Sequence, residues 1–126
     1  MAIIGIGSDI IEIKHINTII SRVGDKFAKR ILSINEWKQY KKNKTKTHFL
    51  AKRLAAKEAT SKALGTGFRG GLTFSQIEIF NDHLGKPYLH LFFNAKKIAK
   101  KLGVVNTHVT LTDERYYSFS VVILEN

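Results

Sequence analysis

The segment 49-FLAKRLAAKEATSKALGTG-67 decides the fold, because no other stretch of the chain has so clear a helical composition. It is rich in alanine, the residue with the highest helix propensity. From Thr47 to Leu64 the chain contains neither glycine nor proline, and Gly65 then provides a residue that ends helices. The sequence therefore predicts one long α-helix over residues 47–64, followed by a turn with several glycines.

Glu58 lies on the apolar side of this predicted helix. Successive residues are about 100° apart around an α-helix, which places Glu58 on the same side as Leu54 and Ala55. An unpaired carboxylate is costly in such a position, so we expect a compensating cation. Lys62 follows one turn later, and an ordinary ion pair on the helix surface is the simplest interpretation of these two residues.

Shorter hydrophobic patterns predict the elements on either side of the long helix. They are a strand over 3–13, a helix over 17–32 with a weak point at Gly24, a short helix capped by Asn35, strands over 72–80 and 88–93, a helix from Asn94 to Leu102, and strands over 107–111 and 117–124. Turn-forming residues between 80 and 88 favour a hairpin there. The order β-α-α-α-β-β-α-β-β indicates a single α+β domain over residues 1–126.

Asp9 interrupts an otherwise apolar first strand, in the segment 5-GIGSDIIEI-13. Side chains alternate across a strand, so Asp9 shares one face with Gly5 and Gly7. The two glycines leave room beside the carboxylate, as expected where a ligand binds. The alternative is a bulge or a close helix contact at the glycines, with Asp9 capping a nearby backbone group.

Two isolated carboxylates and nearby lysines are typical of a site for magnesium and phosphate. Magnesium prefers oxygen ligands and is often held by one or two carboxylates, with water and substrate phosphates completing its coordination. Backbone N–H groups of the glycine-rich stretch after the long helix can bind phosphate oxygens. The common nucleotide-binding loops are absent, since neither a complete G-x-G-x-x-G nor a G-x-x-x-x-G-K-[ST] occurs. The lack of cysteine and of an H-E-x-x-H motif argues against zinc.

The net charge of +11 is the unusual feature of the composition. A basic surface attracts anionic partners, which include nucleic acids, acidic membranes, phosphorylated small molecules and acidic proteins. The absence of cysteine suits the cytoplasm, and no apolar stretch approaches the roughly 20 residues of a membrane span. Asp9 and Glu12 interrupt the first apolar run, so no signal peptide is expected. We therefore expect a cytoplasmic protein with no membrane partner.

Several segments resemble motifs of the holo-[acyl-carrier-protein] synthases, a family of 4'-phosphopantetheinyl transferases. GIGSDIIEI resembles the N-terminal motif G-[IL]-G-x-D-[IL]-x-E-[IL], and FLAKRLAAKEATSKALGTG resembles the longer motif F-L-A-x-R-x-A-x-K-E-A-x-x-K-A-x-G-T-G. The segments GKP at 85–87 and HVTL at 108–111 also match the family at the expected spacing. The resemblance covers almost the whole chain. It implies the phosphopantetheinyl transferase fold, in which a small antiparallel sheet packs with helices around one long central helix.

The resemblance also implies a magnesium-dependent enzyme that transfers phosphopantetheine from coenzyme A to a serine of apo-acyl carrier protein. Asp9 and Glu58 match the magnesium ligands of the family, and Lys62 matches a catalytic lysine that meets a coenzyme A phosphate. The other expected coenzyme A contacts are Arg53, Gly65, Thr66, Gly67, Gly85, Lys86, Pro87 and His108. Family members are homotrimers whose sites lie between subunits, so we expect a homotrimer.

Two positions differ from the commoner pattern of the family. His15 stands where many members have an arginine that grips the carrier protein, which changes one docking contact. Asp113 stands where many members have a histidine, so that histidine cannot take part in proton transfer here. The acceptor of the serine proton stays open among Glu58, a metal-bound water, the phosphate itself and His108.

Both expected substrates are anionic, which gives the basic charge a function. Four basic residues with helical spacing are candidates for docking an acidic carrier protein, namely Arg22, Lys26, Lys29 and Arg30. The alternative is an ordinary solvated basic surface.

Two other functions compete with this interpretation. A basic nucleic-acid-binding module would stack bases on aromatic residues of the sheets, such as Phe74, Phe80 and Tyr88, but it leaves Asp9 and Glu58 without a role. We expect no nucleic-acid partner for that reason. A transferase of the same fold that acts on another carrier is the second alternative.

Overall fold

Five strands and five α-helices follow one another along residues 1–126, all of which the computed structural model describes. They are β1 (Ile3–Glu12), α1 (Ile13–Val23), α2 (Lys26–Ile31), α3 (Ile34–Lys42), α4 (Lys46–Leu64), β2 (Ile77–Asn81), β3 (Pro87–Leu91), α5 (Phe93–Leu102), β4 (Asn106–Asp113) and β5 (Tyr117–Glu125). A short 3-10 helix at Phe74–Gln76 precedes β2. The prediction of a mixed α+β domain is confirmed. None of the helices combines the length and the apolar character that crossing a membrane requires.

The long central helix α4 belongs to both hydrophobic cores of the molecule. Its first half, including Leu50 and Leu54, packs with α1, α2 and α3. Its second half, including Ala59 and Ala63, packs with β2, β3, α5 and β5. The helix therefore joins the two cores, which agrees with the central helix that the family resemblance implied. It ends at Gly65, whose φ of +80° is favourable for glycine.

The strands form two separate antiparallel sheets. One has the order β1-β5-β4, and the other is the β2-β3 hairpin. In the first sheet Asp9 pairs with Ser120, and Ile10 pairs with Phe119. Both predicted antiparallel pairs, β2-β3 and β4-β5, are confirmed.

Gly5 and Gly7 do not leave open space beside Asp9. A Cβ atom at Gly5 would overlap the carbonyl oxygen of Ala63, and one at Gly7 would overlap that of Ala59. The backbone of α4 thus lies directly against the backbone of β1, so the expected gap for a ligand is wrong. The alternative of close helix packing is correct, and this packing brings Asp9 against α4.

The predicted helix over 17–32 is two helices. The first begins at Ile13 and ends at Gly24, whose φ of +65° and ψ of −143° are incompatible with an α-helix. The N-cap of α3 is also not Asn35 but Ser33. The Ser33 Oγ atom accepts the backbone N–H of Glu36, and the Glu36 carboxylate accepts the backbone N–H of Ser33.

Two further boundaries differ from the prediction. The strand predicted over 72–80 begins only at Ile77, because residues 74–76 form a 3-10 helix. The Phe74 carbonyl oxygen in that helix accepts a hydrogen bond from the Lys57 ammonium group. Asn94 does not cap α5, which starts at Phe93, and its side-chain amide donates to the Gly71 carbonyl oxygen instead.

Candidate active site

Asp9 and Glu58 lie together in a cleft of about 760 Å³. β1 provides Asp9 and α4 provides Glu58, while α1 and α2 form the other walls. Apolar side chains such as Ile11, Ile16 and Phe27 also line the cleft. The structure therefore brings together the two carboxylates that the sequence analysis singled out from distant segments.

Lys62 pairs with Asp9 and not with Glu58. Its Nζ atom lies 3.0 Å from Asp9 Oδ1 and donates a second hydrogen bond to the carbonyl oxygen of Ser8 at 2.9 Å. The expected ion pair between Glu58 and Lys62 on the helix surface is therefore wrong. The ammonium group reaches across to β1 because the helix and the strand touch at Gly7.

The carboxyl group of Glu58 resists ionisation. Burial raises its pKa above the usual value, and the nearby Asp9 carboxylate adds to the effect, while Lys62 opposes it. No ion pair within 4.0 Å includes Glu58. The cleft thus carries an excess of negative charge that a bound cation would offset.

The donor atoms in the cleft suit magnesium. Carboxylate oxygens are hard ligands, and two of them from separate elements suffice for a magnesium ion that keeps several water ligands. Asp9 and Glu58 are not part of a cluster of three or more metal-ligating side chains. Further ligands would therefore come from water and substrate oxygens.

A second ion pair, which the sequence analysis missed, lies buried beside α4. Lys57 Nζ donates to Glu36 Oε1 at 2.7 Å and also to the carbonyl oxygens of Phe74 and Ile77. The exposed fractions of Lys57 and Glu36 are 0% and 1%. Burial lowers the pKa of Lys57, and the Glu36 carboxylate opposes that shift.

The only local signal for this pair was the spacing of Ser33 and Glu36, which is that of a capping box. It predicts a helix start and does not reveal that Glu36 also accepts the backbone N–H of Ile79 on β2.

Arg53, Gly85 and Pro87 line a second cavity of about 350 Å³ on another part of α4. The Arg53 Nη2 atom donates to Asn81 Oδ1 at 2.9 Å, and Nε lies 3.8 Å from Glu36 Oε2. Three of the expected coenzyme A contacts therefore share one cavity. Its lining residues do not overlap with those of the Asp9–Glu58 cleft.

Asp113 lines the same second cavity. Its carboxylate lies 3.1 Å from His48 Nδ1 and 3.8 Å from Lys52 Nζ. The residue that differs from the commoner family pattern thus links the end of β4 to the first turns of α4.

The remaining candidate residues are spread over the surface around these two sites. Gly65, Thr66 and Gly67 follow the C-terminus of α4, where Gly67 N–H donates to the Ser61 carbonyl oxygen. Lys86 lies in the β2-β3 turn, with Nζ 5.4 Å from the centre of the Tyr88 ring. His108 lies on β4, and its Nε2 atom is 2.8 Å from Glu125 Oε1. None of these residues lines the cleft of this chain.

The four proposed docking residues are exposed but do not lie on one helix. Arg22 is in the last turn of α1, whereas Lys26, Lys29 and Arg30 are on α2. The interruption at Gly24 separates the two groups. Phe27, next to Lys26 on α2, lines the cleft, so this basic surface borders the site of Asp9 and Glu58.

Comparisons with known proteins agree with the geometry. A sequence profile described as the 4'-phosphopantetheinyl transferase superfamily matches residues 5–119. The chain is 56% identical to a holo-[acyl-carrier-protein] synthase from Erwinia tasmaniensis over 126 residues, which cover 100% of both proteins.

Two solved structures extend the similarity. The holo-[acyl-carrier-protein] synthase of Neisseria meningitidis is 36% identical, with a TM-score of 0.94 over 99% of this chain and 100% of that one. The enzyme of Bacillus anthracis, in complex with CoA (3',5'-ADP), is 37% identical, with a TM-score of 0.81 over 97% of this chain and 96% of that one.

The chain belongs to the 4'-phosphopantetheinyl transferase superfamily. The resemblance inferred from the two motifs is thereby confirmed, and so is the expected fold. The hairpin aromatics that the nucleic-acid alternative would use stack on one another. The Phe80 and Tyr88 ring centres are 5.2 Å apart, and Phe80 and His90 are 4.2 Å apart.

The raised pKa of Glu58 predicts that its charge destabilises the metal-free fold. Between the pKa of the unfolded chain and the higher folded-state value, the folded state binds more protons, so stability falls as pH rises through this window. We expect Glu58→Gln to unfold at a higher urea concentration than the wild type at pH 7 in EDTA, and at a similar one at pH 4.

The control for this measurement is Glu12→Gln, which removes an exposed carboxylate from the same cleft. It removes the same unit of negative charge and so separates the contribution of Glu58 from that of net charge. A Glu58→Gln variant that is less stable than the wild type at pH 7 in EDTA would contradict the repulsion between Glu58 and Asp9.

Proposed function

We propose that the chain is a holo-[acyl-carrier-protein] synthase, which acts in fatty acid biosynthesis. It transfers the phosphopantetheine arm of coenzyme A to a serine of apo-acyl carrier protein and releases adenosine 3',5'-bisphosphate. The meeting of Asp9 and Glu58 in one cleft carries the proposal, because two carboxylates from separate motifs have a common use there. The 56% sequence identity to such a synthase, over the full length of both proteins, supports the proposal.

In this proposal Asp9 and Glu58 hold a magnesium ion. The ion supplies charge neutralisation for the pyrophosphate of coenzyme A. Lys62, already beside Asp9, places a second positive charge at the same edge of the cleft, where it can bind a phosphate oxygen. The protein therefore contributes mainly orientation and electrostatic stabilisation, as in other phosphoryl transfers.

The chemical step joins the serine oxygen of the carrier to the β-phosphorus of coenzyme A. The bond from that phosphorus to the bridging pyrophosphate oxygen breaks, and adenosine 3',5'-bisphosphate leaves with that oxygen. The serine proton passes to a carboxylate or phosphate oxygen in the cleft. His108 of the same chain lies outside the cleft and is already hydrogen-bonded to Glu125. We therefore do not propose it as the acceptor of the serine proton.

The proposal predicts that the protein adds one phosphopantetheine group to apo-carrier protein when coenzyme A and magnesium are present. Intact mass spectrometry measures the product. Asp9→Ala and Glu58→Ala should each lower the rate by about 100-fold or more, because loss of a metal ligand removes several kcal/mol of transition-state stabilisation. EDTA should have the same effect on the wild type.

Glu114→Gln is the matched control, since it removes a carboxylate outside the cleft and keeps the oxygen that accepts the backbone N–H groups of Tyr116 and Tyr117. It should retain most of the activity. Wild-type rates in Asp9→Ala or Glu58→Ala, with the fold intact by circular dichroism, would refute the metal site.

We propose that Arg22, Lys26, Lys29 and Arg30 dock the acidic carrier protein. They are exposed, carry four positive charges and lie next to the cleft that receives the carrier serine. Complementary charges mainly raise the rate of encounter, and salt screens them. The apolar residues of the cleft, such as Ile19 and Phe27, provide a surface for apolar side chains of the carrier.

Reversal of two of these charges tests the docking surface. Arg22→Glu/Lys26→Glu should raise the KM for carrier protein by about tenfold at low salt, with the KM for coenzyme A unchanged. Lys97→Glu/Lys100→Glu on α5 changes the net charge equally, in an exposed position outside the cleft. Equal effects of the two double variants on the KM for carrier would mean that only net charge matters.

We also propose a homotrimer in which the outer face of the β1-β5-β4 sheet is the subunit contact. Ile6 and Ile10 on this face are 65% and 62% exposed, and Phe119, the neighbour of Ile10 on β5, is 38% exposed. A continuous apolar sheet face of this kind is typical of a protein interface.

Ile6→Glu/Ile10→Glu should therefore yield monomers in sedimentation velocity, whereas the wild type sediments as a trimer. Ile34→Glu introduces one such charge at another exposed isoleucine, outside the sheet, and should remain trimeric. A wild type that sediments as a monomer at micromolar concentration would refute the assembly.

A further inference from the structure

Asn81 links the long helix to the β2-β3 turn with both ends of its side-chain amide. Its Oδ1 atom accepts a hydrogen bond from Arg53 Nη2 at 2.9 Å, and its Nδ2 atom donates to the carbonyl oxygen of Gly85 at 2.9 Å. Arg53, Asn81, Gly85 and Pro87 all line the cavity of about 350 Å³. The amide thus connects two walls of that cavity.

The turn itself does not need Asn81 for its shape. Asp82 Oδ1 accepts the backbone N–H groups of Leu84 at 2.8 Å and Lys86 at 2.9 Å, and Gly85 has a φ of +86°, which suits glycine. Asn81 adds the connection to α4. It therefore sets the position of a turn that Asp82 has already formed.

The orientation of the Arg53 guanidinium group depends on Asn81, although the side chain is buried. The residue is 5% exposed, and its Nε atom has no hydrogen-bond partner. The Glu36 carboxylate lies 3.8 Å from Nε, which is too far for a hydrogen bond. The bond to Asn81 is the one hydrogen bond of the guanidinium group. Without it, charge attraction and packing on the Phe49 ring would be the remaining constraints on the group.

We propose that Asn81 is a positioning residue for coenzyme A. It holds the Arg53 guanidinium group and the Gly85–Pro87 turn at a fixed separation, and thereby sets the affinity of their cavity for the nucleotide end of the substrate. A guanidinium group in a fixed orientation can direct its remaining N–H groups to phosphate oxygens. The inference rests on the proposed function, in which these residues bind coenzyme A.

Asn81→Ala tests this role, because it removes both hydrogen bonds at a residue that is exposed and not needed for the core. We expect the KM for coenzyme A to rise about tenfold, as for the loss of one hydrogen bond to a charged group. The kcat at saturating coenzyme A and the KM for carrier protein should stay within about twofold. Calorimetric binding of adenosine 3',5'-bisphosphate should weaken by the same factor as the KM rises.

Two variants sharpen the experiment. Asn81→Gln keeps an amide donor and acceptor and should recover part of the affinity. Asn106→Ala removes an exposed asparagine that does not line the cavity, and it should leave both constants unchanged.

The outcomes separate this inference from the proposed function. A wild type without transferase activity refutes the function, while nucleotide binding by the wild type and Asn81→Ala still reports on the cavity. An unchanged KM for coenzyme A and unchanged nucleotide binding in Asn81→Ala would overturn the positioning role. A fall in kcat with an unchanged KM would also overturn the positioning role, because that pattern indicates that fewer of the protein molecules are correctly folded and active.

Discussion

The contact between the backbones of β1 and α4 is the constraint on which the site depends. Gly5 and Gly7 allow it, since any side chain there would collide with the carbonyl oxygens of Ala63 and Ala59. At this close approach Asp9 comes within reach of α4, where it pairs with Lys62 and shares a cleft with Glu58. The glycines of the first motif therefore act through packing. They bring the carboxylates together by removing the side chains that would hold the strand and the helix apart.

The long helix carries one charged group that is buried with hydrogen-bond partners and another that faces the cleft without an ion-pair partner. Lys57 is fully buried and has three hydrogen-bond acceptors, so removal of Glu36 would leave an uncompensated charge inside the protein. Its neighbour Glu58 faces the cleft with no ion-pair partner and a raised pKa. A satisfied buried charge orients α3, β2 and α4 relative to one another. An unsatisfied charge at a cleft is available to a ligand.

The sequence was most informative where the controlling interactions are local. The helix α4, the β2-β3 hairpin and the β4-β5 pair follow from propensity, turn residues and alternation, which act over a few residues. The partners of Glu36 and Lys62 were missed because they lie on other elements, at 21 and 53 positions' separation. No local pattern specifies such contacts. The interruption of the first helix was visible as Gly24, but whether one glycine bends or breaks a helix depends on tertiary packing.

Because the two cavities are separate, it must be asked how one molecule of coenzyme A could contact both. Arg53 and Glu58 are five positions apart on α4, which corresponds to about 7.5 Å along the axis and roughly 140° around it. The residues that line the two cavities are entirely different. A molecule of coenzyme A bound to one chain would have to pass around the helix to reach both. In a homotrimer, the cleft of one subunit can instead face the Arg53 cavity of its neighbour. The proposed contact through the exposed apolar face of β1 is compatible with this arrangement, because Asp9 and Ile10 are adjacent on that strand.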